Sequence, residues 1–322
     1  MESNFRWLPS GEHERWSDFA LASGAGPFAG PAWLQAMEEA GIETALAVCE
    51  REGRIVAGAL FRILHRPGLR LLLPAPLAPY QGPWLLPRGV AEPDREERHA
   101  AETLRVLARG LAQGFDRIQM ILPPEQVDAR PFLWEGWDSR ARYTCLLDLS
   151  KPLDPNRAVV KQVRKAREAG LGVWPSTDWL LLHALWAESL GNQGVALPLG
   201  EAAFAACCRR LAGHGLLHLW ISGPSEGEAW FANAVLVEGD RAYDWVAGAS
   251  RDQAPSGGNQ LLKTTICEAL GSRGVSCFDL VGGDHPGIAA YKRSLGARLQ
   301  IHVEVSRNVS WKARLLAACG AF

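Results

Sequence analysis

The stretch Ala247-Gly248-Ala249-Ser250-Arg251-Asp252-Gln253-Ala254-Pro255-Ser256-Gly257-Gly258-Asn259-Gln260-Leu261-Leu262-Lys263 decides the reading of this chain. An apolar run over 243–249 stops at a loop carrying Pro255, Ser256, Gly257 and Gly258. A periodic apolar pattern then begins at Leu261 and runs through Leu262, Thr265, Ile266, Ala269 and Leu270. That order is strand, tight loop, helix. A helix starting on Ser-Gly-Gly-Asn presents backbone N–H groups and the positive end of its dipole, which can hold a phosphate or carboxylate. The same residues also read as an ordinary helix start with Ser256 or Asn259 as the cap.

Working outward, the flanking pattern alternates strands and helices. Upstream, strands are predicted over 45–49 and 55–64, joined by the hairpin signal Arg51-Glu52-Gly53-Arg54, and over 69–73. Pro31 opens a helix over 33–40. The proline-rich segment 74–87 carries Tyr80, Gln81 and Trp84, and such a segment lines a site or fills a core. A long helix over 94–113, a strand over 117–122, a short helix over 127–135 and a strand over 143–149 follow. A linker at 151–155 leads to a basic helix over 156–169, where Arg157, Lys161 and Arg164 share one face. That face is either solvated or a grip on phosphates or carboxylates. Beyond it lie a short strand, two helices, three strands, the central loop and its helix, a strand over 275–281, a helix over 287–294, a last strand and a terminal helix.

The two halves follow one plan. Gly114 and Gly274 each end a long helix, Gly136 and Gly296 each end a short one, and both pairs stand 160 residues apart. This constant offset suggests duplication. In that register Phe132 stands opposite Lys292 and Glu97 opposite Gly257, so the second half alone keeps the loop and the lysine. Two domains are expected, 1–150 and 151–322, the first a scaffold or substrate-binding copy.

Composition sets the outer limits. The 322 residues are 48% hydrophobic and 21% charged, those of a globular protein of about two domains. The formal net charge of -1 supplies no field toward DNA or a membrane surface. No apolar run reaches about eighteen residues, so no membrane span is expected. The polar N-terminus lacks a signal core, and the seven scattered cysteines form neither a disulfide framework nor a metal site, which together point to the cytoplasm.

Further motifs carry a family resemblance: Pro27-Phe28 through Trp33, Arg164-Lys165-Ala166-Arg167, Asn259 with Leu261-Leu262, Phe278-Asp279-Leu280-Val281-Gly282-Gly283 and Tyr291-Lys292-Arg293-Ser294-Leu295-Gly296. The second half resembles the GNAT acyltransferase fold, with Gln253-Ala254-Pro255-Ser256-Gly257-Gly258 at the place of its pyrophosphate loop, Ser256 standing for the first glycine. The whole chain resembles the FemAB family, which is built from two GNAT-like halves and includes aminoacyl-tRNA-dependent transferases that extend bacterial cell-wall peptides. No helical-arm insertion is evident. The resemblance implies an α/β (α+β) fold of two tandem GNAT-like domains, with mixed sheets flanked by helices. It also implies transfer of an acyl or aminoacyl group from a CoA thioester or aminoacyl-tRNA to a small-molecule or peptide amine.

On that resemblance Ser250, Ser256, Gly257, Gly258, Asn259 and Gln260 are the donor-binding residues. Arg157, Lys161, Arg164, Tyr80 and Tyr291 are the substrate contacts. Lys292 is expected to steady the oxyanion or hold a donor phosphate, so its removal is expected to affect rate more than stability. Asp284 and His285 are candidate acid and base groups. The missing first glycine and the basic helix favour a tRNA donor; the near-neutral charge and absent arm favour acyl-CoA. A non-catalytic small-molecule binding module is the alternative.

Overall fold

The computed structural model describes residues 3–250, 252–253, 255 and 257–320. In chain order the elements are β1 (Asn4–Leu8), α1 (His13–Ala22), α2 (Pro31–Glu39), β2 (Thr44–Arg51), β3 (Arg54–Arg66), β4 (Leu69–Leu73), β5 (Trp84–Leu85), α3 (Pro93–Leu111), β6 (Arg117–Ile121), α4 (Arg130–Trp134) and β7 (Asp138–Asp148). The second half has α5 (Arg157–Glu168), β8 (Gly172–Ser176), α6 (Trp179–Gly191), α7 (Glu201–Gly213), β9 (Leu217–Gly223), β10 (Phe231–Glu238), β11 (Arg241–Ala249), α8 (Gly258–Ser272), β12 (Cys277–Asp279), α9 (Pro286–Ser294), β13 (Arg298–Asn308) and α10 (Trp311–Ala318). The apolar periods locate most of these; β1, α1 and the two-residue β5 within the proline-rich segment are additions, because their short, mixed sequences carry little period.

By compactness the chain divides into Met1–Arg142 with Ile301–Phe322, and Tyr143–Gln300. The expected halves meet at 150; the compact units meet at 142–143 and again at 300–301. The first unit is a mixed sheet in the order β1-β2-β3-β4-β6-β13, antiparallel except for the parallel pair β4–β6. The second is a mixed sheet in the order β8-β9-β10-β11-β12-β7, antiparallel except for the parallel pair β11–β12. The topologies are the same, and each sheet takes its last strand from the end of the other half of the sequence.

The pairing preserves the repeat. Ile118 faces Arg307 in the first sheet, and Phe278 faces Leu147 in the second. The offset of 160 carries Ile118 to Phe278 and Leu147 to Arg307. Gly114, Gly274, Gly136 and Gly296 all take positive φ just past a helix end, the left-handed conformation that glycine adopts without a Cβ penalty. Helices cover both cores. Leu104, Leu107, Ala108 and Leu111 of α3 pack with Ile118, Phe132 and Trp137 in the first unit. Leu261, Leu262, Ile266 and Leu270 of α8 pack with Phe231, Phe278 and Leu147 in the second.

Candidate functional site

The site is built where the parallel pair of the second unit separates. β11 and β12 pair only over Arg241–Tyr243 and Cys277–Asp279. β11 runs on to Ala249, and among the described residues it has no strand partner on that side beyond Tyr243. Ligands bind in such crevices at the carboxyl ends of parallel strands, where each chain turns toward a helix N-terminus. Here both exits do so, β11 toward α8 and β12 toward α9.

A β-bulge between β10 and β11 marks the opening: Ala234 pairs Val246, while Val235 pairs Asp244. Bulges re-aim side chains beside functional sites. Lys263, on the buried face of α8, donates from Nζ to Asn233 Oδ1 at 2.5 Å and to Asp244 Oδ2 at 2.6 Å. Asn233 donates in turn from Nδ2 to Asp244 Oδ1 at 2.8 Å and to the Val246 carbonyl at 3.2 Å. Lys263 and Asn233 are 3% and 1% exposed, so this cluster is removed from water and every charge in it must be paired from within. It ties the start of α8 to the bulged strand. Sequence reasoning missed it, although a signal existed: Asn233 and Asp244 interrupt two apolar strands, and a charge there requires a partner.

At the loop, Gly257 caps α8 with φ 98°, and among the described residues no side chain caps the helix. A Cβ on Gly257 would lie 2.2 Å from the Gln162 carbonyl oxygen of α5, and one on Gly258 would lie 2.2 Å from the Phe231 ring. The glycines are therefore required for close packing of the loop on α5 and β10. The first turn of α8 has no acidic residue. The N–H groups of Asn259 and Gln260 lie in the first turn of α8, where a helix presents donors without intrahelical partners. Gly257 and Gly258 are buried, Gln260 is half-buried and Asn259 is exposed. These features fit a phosphate-bearing donor. Ser256 lies outside the described residues. The Ser250 N–H is taken by the Trp230 carbonyl at 2.8 Å, and the adjoining Ala249 N–H by Ser189 Oγ at 2.9 Å.

The basic helix stands beside this loop. Asn156 Oδ1 caps α5 by accepting from the Val159 N–H at 3.0 Å, and Val159 and Ala166 face the core. Gln162, on the same helix, meets Gly257. Arg157, Lys161 and Arg164 are exposed, and Arg164 approaches Glu168 at 3.5 Å. From α9, Tyr291 Oη donates to the Asn259 carbonyl at 3.4 Å, and burial pushes the Tyr291 hydroxyl pKa up. The structure thus assembles α5, the loop, the start of α8 and Tyr291. Tyr80 belongs to the first unit, buried edge-to-face on His302 at 5.4 Å.

Lys292, expected to steady the oxyanion or hold a donor phosphate, is 8% exposed, and its Nζ donates to the carbonyls of Leu280 and Gly282, each at 2.6 Å, and to that of Val281. Three N–H donors meet three acceptors, so the ammonium is consumed by the backbone. The reason is local. β12 ends at Asp279, and Val281 and Gly282 then take φ 48° and 77°, turning their carbonyls out of the sheet. Burial lowers the Lys292 pKa, opposed by Asp244. Asp284 is exposed and accepts from the Tyr143 N–H at 2.9 Å. His285 is exposed at the N-cap of α9, and its ring has no hydrogen-bond partner among the described residues.

The fold of both units is GNAT-like. Residues 156–293 match the family model described as an acetyltransferase (GNAT) domain. Among solved structures, the chain is similar to FemX, with a TM-score of 0.68, 13% identity and coverage of 97% of this chain and 99% of that one. It is similar to the C-terminal domain of a putative lysylphosphatidylglycerol synthetase from Agrobacterium fabrum, with a TM-score of 0.62, 12% identity and coverage of 97% and 96%. It is also similar to a tandem GNAT protein from the clavulanic acid biosynthesis pathway, with a TM-score of 0.54, 15% identity and coverage of 96% and 99%. No curated protein matches in sequence. The chain thus carries a GNAT domain match over residues 156–293 and, over nearly its whole length, a fold similar to that of FemX and of a tandem GNAT protein. Among the described residues no helix is long and apolar enough to cross a membrane, and no group of three His, Cys, Asp or Glu could hold a metal ion.

Proposed function

We propose that the second unit transfers an acyl or aminoacyl group to an amine acceptor, from a donor held through its phosphates at the start of α8. The observation that carries this reading is the separation of β11 from β12 at the uncapped, acid-free N-terminus of α8, with the basic helix α5 packed on the same loop. A donor phosphate sits against the amides of Asn259 and Gln260 in the first turn of α8, and Lys161 and Arg157 add long-range attraction. The free edge of β11 offers backbone N–H groups to the oxygen of the reacting carbonyl, where charge grows in the transition state. His285, exposed at the neighbouring helix start, is the candidate base that takes the amine proton; Asp284 holds the strand end through Tyr143. Lys292 acts here as a positioning residue that fixes the 280–282 turn rather than as a group touching the donor.

Acetyl-CoA, longer acyl-CoAs and aminoacyl-tRNA are the donors to test, by calorimetric titration followed by transfer to a panel of amines and short peptides. Binding of one of them, weakened by Lys161→Glu more strongly at low than at high salt, is the expected result. Binding without turnover for every donor and amine would favour a small-molecule binding module on this fold. Absence of binding by all three donor classes would defeat the proposal.

A further inference from the structure

A second concentration of positive charge lies wholly within the first unit. A cavity of about 450 Å³ opens between the end of β2 and the outer face of α3, lined by Arg51, Arg88, His99, Glu102, Arg105 and Arg109. The spacing on α3 accounts for much of it: Glu102, Arg105 and Arg109 recur at three and four residues and share one helix face. Arg51 reaches in from the last position of β2 and Arg88 from the segment after β5.

The partners of these four guanidinium groups are unequal. Arg105 and Arg109 share one carboxylate, with Arg105 Nε donating to Glu135 Oε1 at 2.8 Å and Arg109 Nε to Glu135 Oε2 at 2.7 Å. Arg51 and Arg88 have no carboxylate partner among the described residues. Arg51 Nη2 donates to Ser3 Oγ at 3.0 Å and to Thr103 Oγ1 at 3.1 Å. Its Nε is buried with no acceptor among the described residues. Arg88 Nη1 lies 3.1 and 3.0 Å from the two ring nitrogens of His99. Glu96, nearby, is already engaged by the backbone N–H groups of Arg88 and Val90 at 2.6 and 2.9 Å. Among the described residues only Glu102 of the carboxylates lines the cavity, and its side chain is 62% exposed at 3.7 Å from His99.

A cavity walled by four planar guanidiniums and one rim carboxylate has the chemistry of a site for a multiply charged oxyanion. Guanidinium forks match phosphate oxygens two at a time, and at Arg51 and Arg88 an anion would supply the charge that the described residues do not. The cavity volume suits a small molecule, and His99 and Val106 also line it. We propose that the first unit binds a small phosphate-bearing molecule in this cavity, at a site separate from the donor site of the second unit. It would serve as an effector or as a handle on the acceptor, and the first half would be a ligand-binding unit as well as a scaffold.

The probe is inorganic pyrophosphate, titrated calorimetrically at low salt into the full chain carrying Lys161→Glu, so that binding on the α5 side is suppressed. Binding is expected to persist in that background, to weaken at least fivefold with Arg88→Gln, and to weaken more than tenfold with Arg51→Gln and Arg88→Gln together. Arg88 is exposed, so Arg88→Gln tests the site without disturbing the packing around Arg51, and the melting temperature of each variant reports the fold. No binding in the Lys161→Glu background, or binding indifferent to Arg88→Gln, would overturn the proposal. A twelve-nucleotide single-stranded RNA that bound more than tenfold tighter than pyrophosphate and lost its binding with Arg88→Gln would also overturn it, in favour of a nucleic-acid surface.

Discussion

The two units repeat one topology, and they differ where the second opens. In the second unit β11 outruns its pairing with β12 and leaves a gap. In the first, β4 stops at Leu73, and Gln81 occupies the corresponding line. Its backbone N–H donates to the Ile121 carbonyl, its carbonyl accepts from the Leu60 N–H, and its side-chain oxygen accepts from the Ile121 N–H. Gln81 is 0% exposed, a plug in place of a crevice. From Leu72 to the partner position Ile118 the first half spends 46 residues; from Ala242 to Phe278 the second spends 36. The longer connection is the proline-rich segment that supplies the plug.

The helices behind these connections differ in the same direction. α3 begins with Asp94 and Glu96 in its first turn, so its dipole is answered by its own carboxylates. α8 begins with glycines and no acid. One short helix places Phe132 in the core against Trp137 at 5.4 Å; the other places Lys292 under three carbonyls. The repeated fold has thus kept its pairing while one copy is closed by the hydrogen-bonded Gln81 and apolar packing at Phe132, and the other is left open beside buried lysines.

That contrast can be broken most forcefully at its buried charges. Lys263→Met strands Asp244 beside a bulge, and loss of one partner of a buried pair costs roughly 3–5 kcal/mol. Chemical denaturation is expected to show that loss, with Lys263→Met and Asp244→Asn together less destabilised than the separate effects added. Additivity of the two would mean the triad is not a coupled unit.

The paired positions come next. Phe132→Ala opens a cavity and is expected to cost about 3–5 kcal/mol. Lys292→Met leaves carbonyls without donors and is expected to cost roughly 1–3 kcal/mol. Any fall in transfer rate with Lys292→Met should then track the disturbed 280–282 turn. A variant as stable as the parent with a hundredfold lower rate would restore the lysine to direct chemistry.

Gly257→Ala sharpens the comparison at the loop. A side chain at φ 98°, pressed on the Gln162 carbonyl, is expected to cost about 1–3 kcal/mol and to weaken donor binding by moving the loop off α5. Gly114→Ala, at φ 82° with open space around it, carries the backbone strain alone and serves as its control in the first unit.

The smallest effect concerns acid. Hydrogen bonding to Arg109, then Arg105, lowers the Glu135 pKa to about 2 from 4.5. A depressed carboxylate contributes stability that is present above the unfolded value and lost as pH falls through the folded one. Glu135→Gln is therefore expected to flatten the loss of stability between about pH 4.5 and 2 in acid titrations of the melting temperature.

Much of this was legible in the amino-acid sequence, because periodicity, glycine placement and the 160-residue offset are local properties of the chain. They gave the strand-loop-helix unit at 243–270, the helix ends at Gly114, Gly136, Gly274 and Gly296, and the repeat, whose register the sheet pairings keep. They could not show that Lys292 is buried, since a lysine on a short helix looks solvated until the turn at Val281 and Gly282 leaves carbonyls that need a donor. Nor could they show that Gly257 faces Gln162, that Lys263 reaches Asn233 and Asp244, or that each sheet takes its last strand from the other half. Those are contacts between residues far apart in sequence. They exist only once burial has removed water and obliged each polar group to find its partner within the fold.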